Sequence, residues 1–200
     1  MSRRIDPGTT NIIDIYLLTQ SYYTAYQNYI RDTTGTVKEP ARPTIEELTT
    51  SYSTLNQYKM ISDNMILNSL TFKPLFGTKA ATELRATIKC VKNATSTVST
   101  SEIKSQVINA INQYFTIDNW DFGDTFFFSE LSSYLHDQLG SIISTVVLVP
   151  TNPLKSFGDL YEIRSQANEI FTNAATVNDV EVIDALTSSQ LRTAPNSGVV

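Results

Sequence analysis

The spacing Ser99-x-x-Glu102, followed by an apolar stripe, constrains this chain more than any other feature. A serine hydroxyl accepts a backbone N–H of the first turn while a glutamate three residues on bonds back to the cap, so the pattern starts a helix. Ile103, Val107, Ala110, Ile111, Tyr114 and Phe115 recur at helical period and give that helix one apolar face. A second helix is predicted from a Ser129 cap, with Leu131, Tyr134, Leu135 and Leu139 as its stripe and Gly140 as the C′ residue. Ile142 to Val149 is then a continuous apolar run, as a strand buried on both faces requires, and Pro150 and Pro153 stop it. Leu84 to Lys92 alternates. Leu84, Ala86, Ile88 and Cys90 make a buried face, and Arg85, Thr87 and Lys89 a wet one. Gly77 to Thr82 is the turn before it and Asn93 to Thr100 the polar loop after it.

Upstream, the β-branched stretch Asn11 to Leu18 reads as a strand. Tyr22, Tyr26, Tyr29 and Ile30 fall at helical spacing, which predicts a helix over residues 21–31, and residues 32–43 form a loop with one glycine and two prolines. Thr44 caps a further helix with Glu46 and Glu47 in its first turn, Ile45, Leu48, Tyr52, Leu55 and Tyr58 as its stripe, and an end near residues 62–64. Met65 to Phe76 reads as one strand. Leu160 to Arg164, Glu169 to Thr172 and Val180 to Ile183 read as shorter ones. Collapsed, the order is β-α-β-β-α-β, the split βαβ of a ferredoxin-like α+β fold with extra helices and C-terminal β extensions, its helices on one face of the sheet. The expected organisation is a core over 1–150, a β extension over 151–192 packed on it, and a mobile tail over 193–200. No internal repeat is found.

A chain of 200 residues buries roughly 70% of its unfolded surface and can hold a core without disulfides or metal. One cysteine, Cys90, leaves no intramolecular disulfide and no Cys-rich zinc site, and one histidine, His136, leaves no imidazole metal site. A net charge of −5 argues against wrapping nucleic acid. The start, MSRRIDPGTTN, lacks the apolar stretch of a signal peptide, and the longest apolar run is too short to span a bilayer, so a soluble chain made inside the cell is expected. Charged residues make up only 18%, with threonine, serine and asparagine in their place, which suits a surface packed against partners.

Asp121-Phe122-Gly123 matches the magnesium-binding triplet of kinases, but no glycine-rich phosphate loop, β3 lysine or H-R-D accompanies it. The structural reading fits better. Gly123 turns a φ > 0 corner after Trp120-Asp121-Phe122, Phe126 and Phe128 face one side and Phe127 the other, and Ser129 begins a helix. One side is the core, and the other receives a second layer or a partner. Asp121 with Asp124, or Glu46 with Glu47, could be offered as an acid–base pair, yet adjacent glutamates in a first turn are ordinary dipole partners. His136 has no G-x-S-x-G elbow to serve, and Cys90 sits on a buried strand face. No phosphate-cradling glycine loop exists, and the wet face of 84–92 has no aromatic for stacking RNA bases. Tyr22, Tyr26 and Tyr29 share a face, and tyrosine is enriched at interfaces; they either cap the sheet edge or meet another subunit.

The runs SEIKSQVINAINQYF from Ser101, WDFGDTFFFSELSSYLHDQLG from Trp120 and SIISTVVLVP from Ser141 carry a resemblance, and so do NIIDIYLLT from Asn11, LNQYKMISD from Leu55 and LYEIRS from Leu160. Together they resemble the baseplate wedge proteins of T4-like contractile-tailed bacteriophages and, more broadly, the baseplate J-like family. The likeness covers nearly the whole chain. Family members are much longer, so the chain corresponds to their C-terminal part, shortened or encoded by a split gene. The resemblance implies a structural protein and not an enzyme. It implies no catalytic residue, cofactor or metal, and partners that are further copies (a dimer within a ring) and other wedge proteins. Nucleic acid, membrane and small-molecule substrate are not implied. The place of work is the virion tail baseplate, assembled in the host cytoplasm, where the ring rearranges to trigger sheath contraction. The alternative from the residues alone is a small-molecule-binding or enzymatic ferredoxin-like domain, which needs a concave pocket with a few convergent polar groups.

Overall fold

The computed structural model describes residues 12–55, 64–151 and 162–183. The chain divides into two compact units, Met1–Thr71 and Phe72–Val200. The architecture is mixed α+β, with four α-helices and several small sheets among the described residues.

In the first unit, β1 (Ile12–Leu17) pairs in parallel with β2 (Asn64–Ser69), Ile12 opposite Asn64 through Leu17 opposite Ser69. Parallel neighbours need a crossover, and the chain between them carries α1 (Gln20–Arg31) and α2 (Ile45–Ser51). Thr19 caps α1, its hydroxyl accepting the Tyr22 N–H, and the helix buries Tyr22, Tyr26 and Ile30. Thr44 and Glu47 form a full capping box on α2, with Glu47 Oε2 accepting the Thr44 N–H at 2.8 Å. This helix is shorter than its stripe suggested. It stops at Ser51, Tyr52 turns its hydroxyl to the Leu18 carbonyl at 2.9 Å, and Ile45 is 62% exposed where burial was expected. Tyr58 and the expected helix end lie outside the described residues.

The expected single strand from Met65 to Phe76 is two. Leu70 interrupts it, fully buried and donating its N–H to the Leu17 carbonyl. Then β3 (Thr71–Leu75) pairs with β8 (Glu169–Asn173).

The second unit is organised on β4 (Ala86–Lys92). Its antiparallel neighbour is β6 (Ile143–Pro150), Ala86 opposite Pro150, with a bulge between Val91 and Lys92. Its parallel neighbour is β9 (Val180–Ile183). A short pair, β5 (Thr125–Phe127) with β7 (Glu162–Arg164), stands apart from this sheet. Two helices, α3 (Thr100–Tyr114) and α4 (Phe128–Leu139), lie on each other, and their apolar stripes join Ile88, Cys90, Ile143, Leu148 and Val180 in one core. β1 beside β2 and β4 beside β6 are separate small sheets, so these pairings do not bear out the ferredoxin-like arrangement.

The wet face of β4 is largely closed: β4 is the central strand, Lys89 is 8% exposed, and Glu181 on β9 accepts its ammonium at 2.9 Å. Leu84 belongs to a 3-10 turn, Thr82–Leu84, ahead of that strand. β6 is an edge strand whose Ser144 and Thr145 are exposed, so it is not buried on both faces throughout. Ser129 is not the cap of α4, because the helix already starts at Phe128, with extended Phe127 as a cap that has no side-chain hydrogen bond. At the other end Gly140 keeps right-handed geometry, φ −59° and ψ −17°, where a left-handed C′ residue was expected.

Candidate functional site

The corner after α3 is fixed bond by bond. Asn119 Nδ2 donates to the Gln113 carbonyl at 3.0 Å, and Trp120 Nε1 to the Tyr114 carbonyl at 2.9 Å, so the helix's last carbonyls are satisfied by side chains. Asp124 Oδ2 accepts the Asp121 N–H at 2.7 Å and closes the D-F-G-D turn. Gly123 sits at φ +77°, a conformation that a Cβ would strain. The Asp124 carbonyl accepts both the N–H and the hydroxyl of Ser165, which ties the turn to the end of β7. The acidic pair therefore works as turn chemistry: Asp124 holds the Asp121 backbone.

Around this turn lies an aromatic cluster. Phe115 and Trp120 stack with centroids 5.4 Å apart and planes 12° apart, and Phe171 meets Trp120 edge-on at 5.2 Å. Phe76 meets Phe126 edge-on at 5.8 Å, and both are buried. Such pairs contribute about 0.5–1.5 kcal/mol beyond area burial. Phe126 lies in the core and Phe128, the first residue of α4, packs partly buried against it, while Phe127 and Phe122 are 38% and 43% exposed. Ser129 is exposed on the first turn of α4.

On the outer side of the corner, Tyr114, Asn119, Trp120, Asp124, Thr125, Glu130 and Tyr134 line a groove of about 440 Å³. Burial pushes the Tyr114 hydroxyl up to about 12, and the Glu130 carboxylate adds to the rise. Of these residues the sequence marks Trp120, and Asp124 only as a candidate acid. Asn119, Thr125 and Glu130 carry no motif, and the spacing of Tyr114 and Tyr134 places them on apolar stripes. The one local signal was the spacing of Glu130 and Tyr134, four apart and so on one helix face.

Tyr22 and Tyr26 are buried, 5.9 Å ring to ring; Tyr29 meets Tyr26 at 5.7 Å and is half-buried. Desolvation raises all three hydroxyls. A shallower groove of about 390 Å³ beside Tyr22 is lined by Thr19, Pro40, Pro43, Glu47 and Ser51 among others. Cys90 is fully buried, and burial pushes its thiol to about 12, which leaves no thiolate for chemistry at neutral pH. His136 is exposed on α4. Among the described residues no three His, Cys, Asp or Glu side chains gather as metal ligands, and no helix is long and apolar enough to cross a membrane.

Fold and site together define a mixed α+β protein with a rigid, aromatic-braced corner and a groove at its surface. Comparison with family models, curated proteins and solved structures returned no match.

Proposed function

We propose that the chain is a structural subunit of a phage tail baseplate. It self-associates and binds other wedge proteins to build the ring around the hub, whose rearrangement triggers sheath contraction. It works in the virion tail baseplate after assembly in the host cytoplasm, as a scaffold without catalytic residues or cofactor. The ordered likeness of the runs from Ser101, Trp120 and Ser141 to baseplate wedge proteins supports the identity. The observation that carries the scaffold reading is the corner itself. Phe122 is exposed on a turn held by side-chain hydrogen bonds and stacked rings, Phe127 is exposed at the end of β5 just after it, and rigid exposed aromatics suit an interface anchor. The ferredoxin-like core stays outside this reading, which needs only the α+β class.

Sedimentation equilibrium across a wide concentration range tests it. The chain is expected to form reversible dimers or larger species, and Phe122→Ser with Phe127→Ser is expected to weaken association at least ~10-fold with the unfolding midpoint kept. A strict monomer, or association indifferent to both substitutions, removes the corner as the contact. The small-molecule-binding alternative is then favoured by the neighbouring groove.

A further inference from the structure

The groove at the corner is lined by two carboxylates, an amide, three hydroxyls and aromatic surface. Asn119 spends its Nδ2 on the Gln113 carbonyl and Trp120 spends its Nε1 on the Tyr114 carbonyl, so the amide of Asn119 has its oxygen left to offer. Asp124 uses Oδ2 on the Asp121 N–H and keeps Oδ1. Glu130, Tyr114 and Tyr134 make no side-chain hydrogen bond or ion pair among the described residues. The two tyrosine rings stand 5.3 Å apart and Trp120 is 5.6 Å from Tyr114, so the wall is preformed. No lysine or arginine is among the lining residues that the structure describes.

Two carboxylates and three π systems around one space, with no cation among the described lining residues, fit a ligand that is positive, flat and rich in donors. An anion would meet like charge, and a neutral apolar group would make no use of Glu130 or of Asp124 Oδ1. We propose that this groove receives the guanidinium of an arginine side chain presented by a partner protein. The ring faces supply cation–π attraction and stacking, Glu130 and Asp124 Oδ1 accept its N–H groups, and the tyrosine oxygens accept the rest. The tryptophan, Trp120, is the only one in the chain and lies in the wall, so it reports occupancy directly. The inference stands apart from the baseplate reading: it concerns the ligand of one groove, whatever assembly the partner belongs to.

The test is a fluorescence titration of the full chain with Nα-acetyl-arginine amide, against the neutral isostere Nα-acetyl-citrulline amide. A saturable change in tryptophan emission is expected in the millimolar range with the arginine compound, absent with citrulline and weakened by added salt. Glu130→Gln is expected to reduce that affinity by roughly fivefold while keeping the unfolding midpoint of the parent, and Tyr134→Leu by a similar factor while remaining folded at a lower midpoint. An unchanged emission, an equal response to citrulline, or an affinity untouched by Glu130→Gln overturns the proposal. Occupation of the groove by the chain's own arginines also overturns it, and would read as an unresponsive parent. None of these results bears on self-association through Phe122 and Phe127.

Discussion

A methyl group placed on Gly77 would sit 1.7 Å from the Ala174 carbonyl oxygen and 2.4 Å from its carbon. Both are backbone atoms, so no side chain can swing aside. Leu75 accepts the N–H groups of Gly77 and Ala174 together, at 3.1 and 2.9 Å, and clamps the two segments. Gly77→Ala is therefore expected to lower the unfolding free energy by roughly 3 kcal/mol or more, read as the midpoint and slope of a urea titration. Gly35 makes the contrast. It sits at φ +73° with nothing within 4 Å of the place a methyl would take, so only conformational strain opposes an alanine there, and about 1 kcal/mol is expected. Equal costs at the two positions would mean that the Ala174 approach yields easily. Phe76, next to Gly77, shows what composition hides: it takes φ +78° although it carries a ring, and its N–H and carbonyl are held by Leu84 and Ala86. The ring is buried against Phe115 and Phe126, packing that offsets a backbone conformation costing about 1 kcal/mol or more.

The elements differ in how much of their stability is local, and that decides which of them the sequence foretells. α1 and α3 begin on hydroxyl caps and repeat an apolar stripe, so their positions follow from neighbours in the chain. Ser99 accepts the Glu102 N–H at 3.3 Å, the half of the capping box that is present in α3. Ser99→Ala is expected to cost about 1 kcal/mol, measured by thermal or urea unfolding, with Ser101→Ala as the silent control on the exposed first turn. A cost below a few tenths would assign the helix start to packing alone. By contrast α4 starts without a side-chain cap, because its entry is fixed by the pairing of β5 with β7 far downstream, Thr125 opposite Arg164 and Phe127 opposite Glu162. That non-local pairing is why a Ser129 cap was the natural expectation and the wrong one. The break at Leu70 and the closure of the β4 wet face by Glu181 have the same origin: both depend on partners far along the chain. The groove was illegible for a third reason. Its lining comes from the end of α3, the corner turn, the start of β5 and the first two turns of α4, which the corner's hydrogen bonds and ring contacts bring together.

At the scale of the whole molecule, both units bury groups that resist losing a proton. In the first, desolvation raises the hydroxyls of Tyr22, Tyr26 and Tyr29; in the second, it takes Cys90 from 9.0 and Tyr114 from 10.0 to about 12 each. In every case the folded state holds the proton more tightly than the unfolded chain does. Stability from these groups is thus complete below the unfolded values and falls as pH climbs through the interval to the folded ones. Cys90 opens that interval near 9.0 and the tyrosines join near 10.0, with the loss running to about 12. Urea midpoints should be level around neutral pH and then drop through this range, while phenolate absorbance of the folded chain lags behind that of the unfolded chain. Cys90→Ala removes the thiol and is expected to delay the onset of the fall towards the tyrosine range, even though the smaller side chain lowers stability at every pH. The onset, not the absolute midpoint, separates titration from packing. A level profile through the whole interval would mean that water reaches these groups in the folded state, and the burial assigned to Cys90 and the tyrosine rings would then have to be withdrawn.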